Sequence, residues 1–152
     1  MTLRLALAFA ALLAAPASAQ FRKIDIAFEG IGCASCVESL PPRMKRIRGV
    51  ETAQVDAAKG TLTLTLAPEN RVRLEQVRDA IQQDGTKAKS AAVEARGQIV
   101  KSDAGWTLQF PRGVSYSLSG PLSGDLSPGL KTITGTVAGL QDIVIAVTSA
   151  RD

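Results

Sequence analysis

Cys33 and Cys36, two residues apart, are the only cysteines in this chain of 152 residues. There is no histidine, and Met44 is the only methionine after Met1. Two thiols at this spacing either hold a soft metal ion or exchange electrons as a dithiol/disulfide pair. A purely stabilising staple is the weaker reading, because so small a ring restrains little of the unfolded chain. Without histidine no Ser/His/Asp arrangement can be built, and no pair of carboxylates is poised for acid–base work. The chain is read as a non-enzyme.

The elements around the pair must deliver it. Ile24, Ile26 and Phe28 alternate as a half-buried strand does, and Val37, Leu40, Met44 and Ile47 follow with helical spacing. Between them, Gly30 and Gly32 flank Ile31 and give the backbone freedom to turn. Ser35-Cys36-Val37-Glu38 fits a capping box, which puts Cys36 in a first helical turn where the positive end of the dipole favours a thiolate. Pro41-Pro42 predicts a start or break near Leu40, with a regular helix onward to Arg48 and Gly49.

Farther along, residues 50–55 and 61–66 read as strands joined by a hairpin loop, the second with leucines on one face and threonines on the other. Leu74, Val77 and Ile81 mark a second helix that Gly85 stops, and residues 86–94 a fourth strand. The order strand, helix, strand, strand, helix, strand predicts a ferredoxin-like βαββαβ unit over residues 20–96, of α+β class. Arg96-Gly97 reads as the join to a second unit. Residues 97–152 carry little charge, many glycines and serines, and five short strand signals at 98–101, 106–110, 114–118, 132–137 and 143–148. They predict a small all-β barrel, with Gly135 easing a sharp bend.

Arg4, an apolar run over residues 5–15, Pro16 and Ala17-Ser18-Ala19 have the form of a secretory signal over residues 1–19. The run is too short to span a bilayer, so the expectation is a secreted or periplasmic protein with no membrane span after cleavage. Seventeen basic residues then face fourteen acidic ones, thirteen against ten in residues 20–96 and four against four beyond. That balance lacks the dense basic face of a nucleic-acid protein. The cluster Arg43, Lys45, Arg46, Arg48 reads as a solvated helix face, or else as a docking surface for an acidic partner.

Over about residues 24–94 the order of elements, the glycine-flanked Cys-x-x-Cys and Arg48-Gly49-Val50-Glu51 resemble the heavy-metal-associated domain of copper chaperones, copper-transporting ATPases and a periplasmic mercury-binding protein. The final 50 or so residues weakly resemble a small oligonucleotide/oligosaccharide-binding (OB) barrel. The first resemblance implies that Cys33 and Cys36 bind one soft ion, Cu(I) foremost and Hg(II) second. A d10 ion accepts two sulfurs in near-linear geometry, whereas Zn(II) wants four ligands and is disfavoured. It implies a metal-transporting ATPase or another thiolate domain as partner, with ligand exchange through a third thiolate; two such loops sharing an ion would make a metal-bridged dimer. Ile31-Gly32 stands where the family usually has Met-Thr, Ile31 filling the slot beneath the loop and Gly32 loosening it. Ser35 lies between the ligands, and Lys87, in the loop after the second helix, is the candidate counter-charge.

Two other readings use the same residues. An exported thiol–disulfide redox protein would employ the cysteine pair directly. A binding module would act through the barrel, stacking bases or sugars on Trp106, Phe110 and Tyr116.

Overall fold

The computed structural model describes residues 18–29 and 33–152. Its first half is built from β1 (Gln20–Glu29), α1 (Ala34–Met44), β2 (Val50–Asp56), β3 (Thr61–Leu66), α2 (Leu74–Gln82) and β4 (Lys87–Ser102). The sheet order β2-β3-β1-β4 is antiparallel throughout, the ferredoxin-like arrangement. Strict alternation makes β3: Leu62, Leu64 and Leu66 turn into the core while the threonines turn out, and Thr63 donates to Asp25 of β1 at 2.7 Å. Leu74, Val77, Ala80 and Ile81 of α2 are buried on the same core.

Four further strands complete the chain: β5 (Gly105–Gln109), β6 (Ser115–Ser119), β7 (Gly129–Ala138) and β8 (Val144–Arg151). They follow β4 in the order β4-β5-β6-β8-β7, and β7 pairs back onto β4, so five strands close into a barrel. The β6–β8 pair is parallel and the rest are antiparallel. The bend expected at Gly135 coincides with a register shift between Thr134 and Gly135; a Cβ there would lie 2.6 Å from Ile145 Cγ2 and 2.8 Å from the Ala146 carbonyl oxygen.

The join expected at Arg96-Gly97 is not a linker. Both residues lie inside β4, a single strand of 16 residues that replaces the two short strands read from the sequence. Its residues 90–96 pair with β1 on one edge and β7 on the other, so β4 belongs to both halves. Gly97 serves packing rather than a turn, since a Cβ would come within 2.6 Å of Leu108 Cδ1 and 3.0 Å of the Gln109 carbonyl oxygen. Every second residue of β4 from Ala91 to Ile99 is buried, and one hydrophobic core runs through both halves.

Three more contacts fasten that seam. Phe21 of β1 packs edge-on against Phe110 at 4.9 Å and against Tyr116 of β6 at 5.3 Å between ring centroids. The Tyr116 hydroxyl accepts from the Leu74 backbone N–H at 3.2 Å and donates to Glu75 Oε2 at 3.0 Å, so the barrel caps the start of α2. Arg78 of α2 donates to the Leu140 carbonyl at 3.3 Å. The aromatic platform considered from the sequence does not form: Tyr116 is 2% exposed, Phe110 packs against the core, and Trp106 is half-buried beneath Lys101.

α1 also departs from expectation. It starts at Ala34, runs unbroken through Pro41 and Pro42, and ends at Met44 instead of Arg48. Two prolines remove the N–H groups that would bond the Val37 and Glu38 carbonyls, a cost of about 3 kcal/mol or more for an interior position. Leu40 and Met44, both fully buried, offset this at about 1.5–3 kcal/mol each. The Lys45 N–H still reaches the Pro41 carbonyl at 3.0 Å, and the chain then tightens through Arg46 to Arg43 and Ile47 to Met44 bonds. Gly49 turns it at φ +106°, pressed so close to Asn70 that a Cβ would lie 2.7 Å from the Asn70 Cβ.

Candidate metal centre

Cys33 is the N-cap of α1, with extended backbone angles, and its sulfur accepts the Cys36 backbone N–H at 3.2 Å. Sulfur here takes the role that the capping-box reading gave to Ser35, whose hydroxyl instead lies 3.5 Å from Cys33 Sγ. Cys36 occupies the first helical turn, as the sequence predicts. No acidic residue sits in that turn, so the unpaired N–H groups and the positive helix end are free to favour negative charge on sulfur. Cys33 and Ser35 are exposed and Cys36 is half-buried.

The two sulfurs are joined in a disulfide, with the Cα atoms 5.4 Å apart. A disulfide offers no thiolate. Two electrons and two protons convert it into two thiols, and only the deprotonated thiols are ligands. The donor set then fits a two-coordinate soft ion. Among the described residues no group of three or more His, Cys, Asp or Glu is placed to hold a metal.

Ile31 and Gly32 lie outside the described residues. Lys87 is the first residue of β4, exposed, and in register with Glu29 at the end of β1. That places it at the sheet end from which the cysteine loop leaves, but among the described residues no ion pair joins it to the site. Its neighbour Lys89 is the one that pairs with Glu29, at 3.4 Å.

What the sequence reading missed is a brace behind the cysteines. The Ser39 hydroxyl donates to the Cys36 carbonyl at 2.7 Å and accepts from Arg43 at 2.9 Å. Arg43 also donates to the Ala80 carbonyl at 3.1 Å and to Asp84 Oδ2 at 2.8 Å. Asp84 Oδ1 in turn accepts the Thr86 N–H at 3.1 Å and hydroxyl at 2.6 Å. The Arg43 hydrogen bond, opposed by burial and helped by those from Thr86, holds the Asp84 carboxyl down at about 2. Arg43 is therefore not part of a solvated face: its side chain is 15% exposed and ties α1 to the loop before Lys87. The spacing Cys36, Ser39, Arg43 on one helix face was the available signal. Lys45, Arg46 and Arg48 are exposed, as expected.

Residues 25–87 match the family model of the heavy-metal-associated domain. The match covers less than half of the chain, and the barrel strands beyond β4 lie outside it. Among solved structures the chain is similar to a CopZ metallochaperone, at 24% identity over 43% of this chain and 97% of that one, with a TM-score of 0.40. It is similar to a copper binding domain from HMA7, a P-type ATPase, at 24% identity over 47% and 92%, with a TM-score of 0.39. A third likeness, at 28% identity over 45% and 88% and a TM-score of 0.40, is to the N-terminal domain of a potential copper-translocating P-type ATPase from Bacillus subtilis in the Cu(I)-loaded state. No curated protein matches the chain.

Proposed function

We propose that the reduced protein carries one soft cation, Cu(I) foremost and Hg(II) second, between Cys33 and Cys36 and yields it to a partner's thiolate. The observation that carries this reading is a cysteine pair at the start of a helix, Cys33 exposed at the N-cap and Cys36 half-buried in the first turn, inside the span that matches the heavy-metal-associated domain. Soft thiolates select soft d10 ions, and two-coordination leaves room for a third sulfur, so the ion passes without being set free. Zn(II), which takes four ligands, is not the cargo. The partner is a metal-transporting ATPase or another thiolate domain, and the compartment is extracytoplasmic, in keeping with the signal-like residues 1–19. The protein acts as carrier or scavenger and not as an enzyme, since cargo leaves chemically unchanged. Its barrel is read as OB-type from its closed order and single parallel pair.

Loading requires prior reduction of the disulfide by a dithiol donor, which forms its own disulfide as the two protein thiols are released. The disulfide itself favours a second reading, in which the pair exchanges electrons with client thiols. Competition between reduced protein and a strong Cu(I) chelator separates the two. Reduced protein should take about one Cu(I) per chain, and the oxidised protein, Cys33→Ser and Cys36→Ser none. Undiminished binding by the double variant would refute the metal reading. Rapid turnover of a scrambled disulfide substrate, without chelator competition, would establish the redox one.

A further inference from the structure

At the opposite end of the first half from the cysteines lie two adjoining grooves. α1 separates the ends by roughly 16 Å, from its 11 residues at the usual helical rise. One groove, a cavity of about 570 Å³, runs along the seam between the β3–α2 connection and the turn between β5 and β6, and is lined also by Ser18 and Ala19, the last residues of the signal-like segment. The other, about 590 Å³, lies between the α1–β2 and β3–α2 connections. Each is within the size range of ordinary ligand clefts, roughly 300–1,000 Å³. They share Glu69, Asn70, Arg71 and Gln76, so they form one continuous trough.

Arg46, Arg48, Arg71, Arg73 and Arg112 line this trough, and among the described residues Glu69 is its only lining carboxylate. That local excess matches the formal +4 of the entire 152-residue chain. Five of the chain's eighteen basic residues are thus gathered in one concave region. None of the five arginines makes an ion pair among the described residues, in contrast to Arg43, Arg78 and Arg151. Arg112 is held at φ +66° between Pro111 and Gly113, in a turn contributed by the barrel. The seam groove also exposes apolar surface from the half-buried Phe110 and Val114.

We propose that this trough is a docking site for an extended, carboxylate-rich peptide segment of a partner protein. Guanidinium forks match carboxylates in bidentate geometry, and several of them lining two adjoining grooves fit acidic side chains repeating along an extended chain. All five arginines are exposed, and the two grooves give them walls between which an extended chain can lie. The barrel supplies one wall, which gives the second half of the chain a role in choosing the partner. Because the trough lies away from the cysteines, docking is independent of their redox state and of any metal. This inference therefore stands or falls separately from the metal reading.

The test is fluorescence anisotropy of a labelled peptide alternating glutamate and glycine, titrated with the purified protein at low and at physiological salt. Binding should occur, weaken as salt rises, and be the same for oxidised and reduced protein. Charge reversal by Arg71→Glu with Arg112→Glu should weaken it by about tenfold or more, and the milder Arg71→Gln with Arg112→Gln by about threefold. Lys101→Glu, on the exposed end of β4 outside both grooves, should change it less than about twofold. Unaltered melting curves of the glutamine pair confirm that the fold is kept. Peptide binding indifferent to both arginine pairs, or binding of phosphatidylglycerol vesicles or tripolyphosphate but not of the peptide, would overturn the proposal.

Discussion

Removing a single oxygen atom should reveal that the two halves unfold as one. Tyr116→Phe keeps the ring that packs against Phe21 and Phe110 and deletes only the hydroxyl. Two hydrogen bonds go with it. Glu75 is half-exposed and regains water, so its loss is small. Leu74 is fully buried, and its N–H, the first of α2, is left without an acceptor. An orphaned buried donor costs about 1–3 kcal/mol. With an unfolding entropy of about 2 cal/mol/K per residue over this length, the Tm should fall by roughly 4–10 °C. The chain supplies two independent probes. The α-helices of the described residues, α1 and α2, lie in the first half and report by far-UV circular dichroism, whereas the one tryptophan, Trp106, sits on β5 of the barrel and reports by fluorescence. Both signals should move together, in the wild type and in the variant. A shift below about 1 °C, or two separated transitions, would refute the reasoning that the barrel caps α2 and shares its core.

Two further perturbations probe the seam and the brace. Gly97→Ala places a methyl group against Leu108 Cδ1 and the Gln109 carbonyl oxygen, so chemical denaturation should show a loss of about 1–3 kcal/mol from overpacking. Asp84, held at about 2 when folded and near 4 when unfolded, gives stability that is complete above about pH 4 and lost as pH falls through about 2. Its side chain is 19% exposed, and solvent screening reduces the contribution to about 1 kcal/mol. Asp84→Asn should therefore lower the denaturation midpoint at neutral pH and flatten the acid limb between pH 4 and pH 2; an unchanged acid limb would show that Asp84 contributes nothing.

Local periodicity made the regular parts legible. β3 alternates leucine with threonine, so a single pattern fixes both its bounds and its buried face. Leu74, Val77 and Ile81 marked the buried face of α2, and the capping-box pattern at Ser35 put Cys36 in the first turn of α1. What escaped was decided by partners distant in sequence. Gly97 looks like punctuation until Leu108 is seen filling the space a side chain would need. Arg43 looks solvated until Asp84 and Ala80, about forty residues away, take up its guanidinium. The prolines forbid a regular helix by local rules, yet tertiary burial of Leu40 and Met44 keeps it running. Cys33 outcompetes Ser35 as cap, a choice between two side chains that residue preference alone ranks the other way.

The long shared strand has a consequence for anyone who would divide the chain. A fragment ending at residue 87, where the family match stops, would discard nearly all of β4 and strip β1 of one neighbour. A fragment beginning at Gly97 would deprive β7 of most of its ladder to β4 and leave the cylinder slit along its length. Each piece would present bare strand edges, the surfaces on which chains exchange segments and aggregate. Excised halves should seek each other out, and mixing the two in a single tube is the natural route to reassembly.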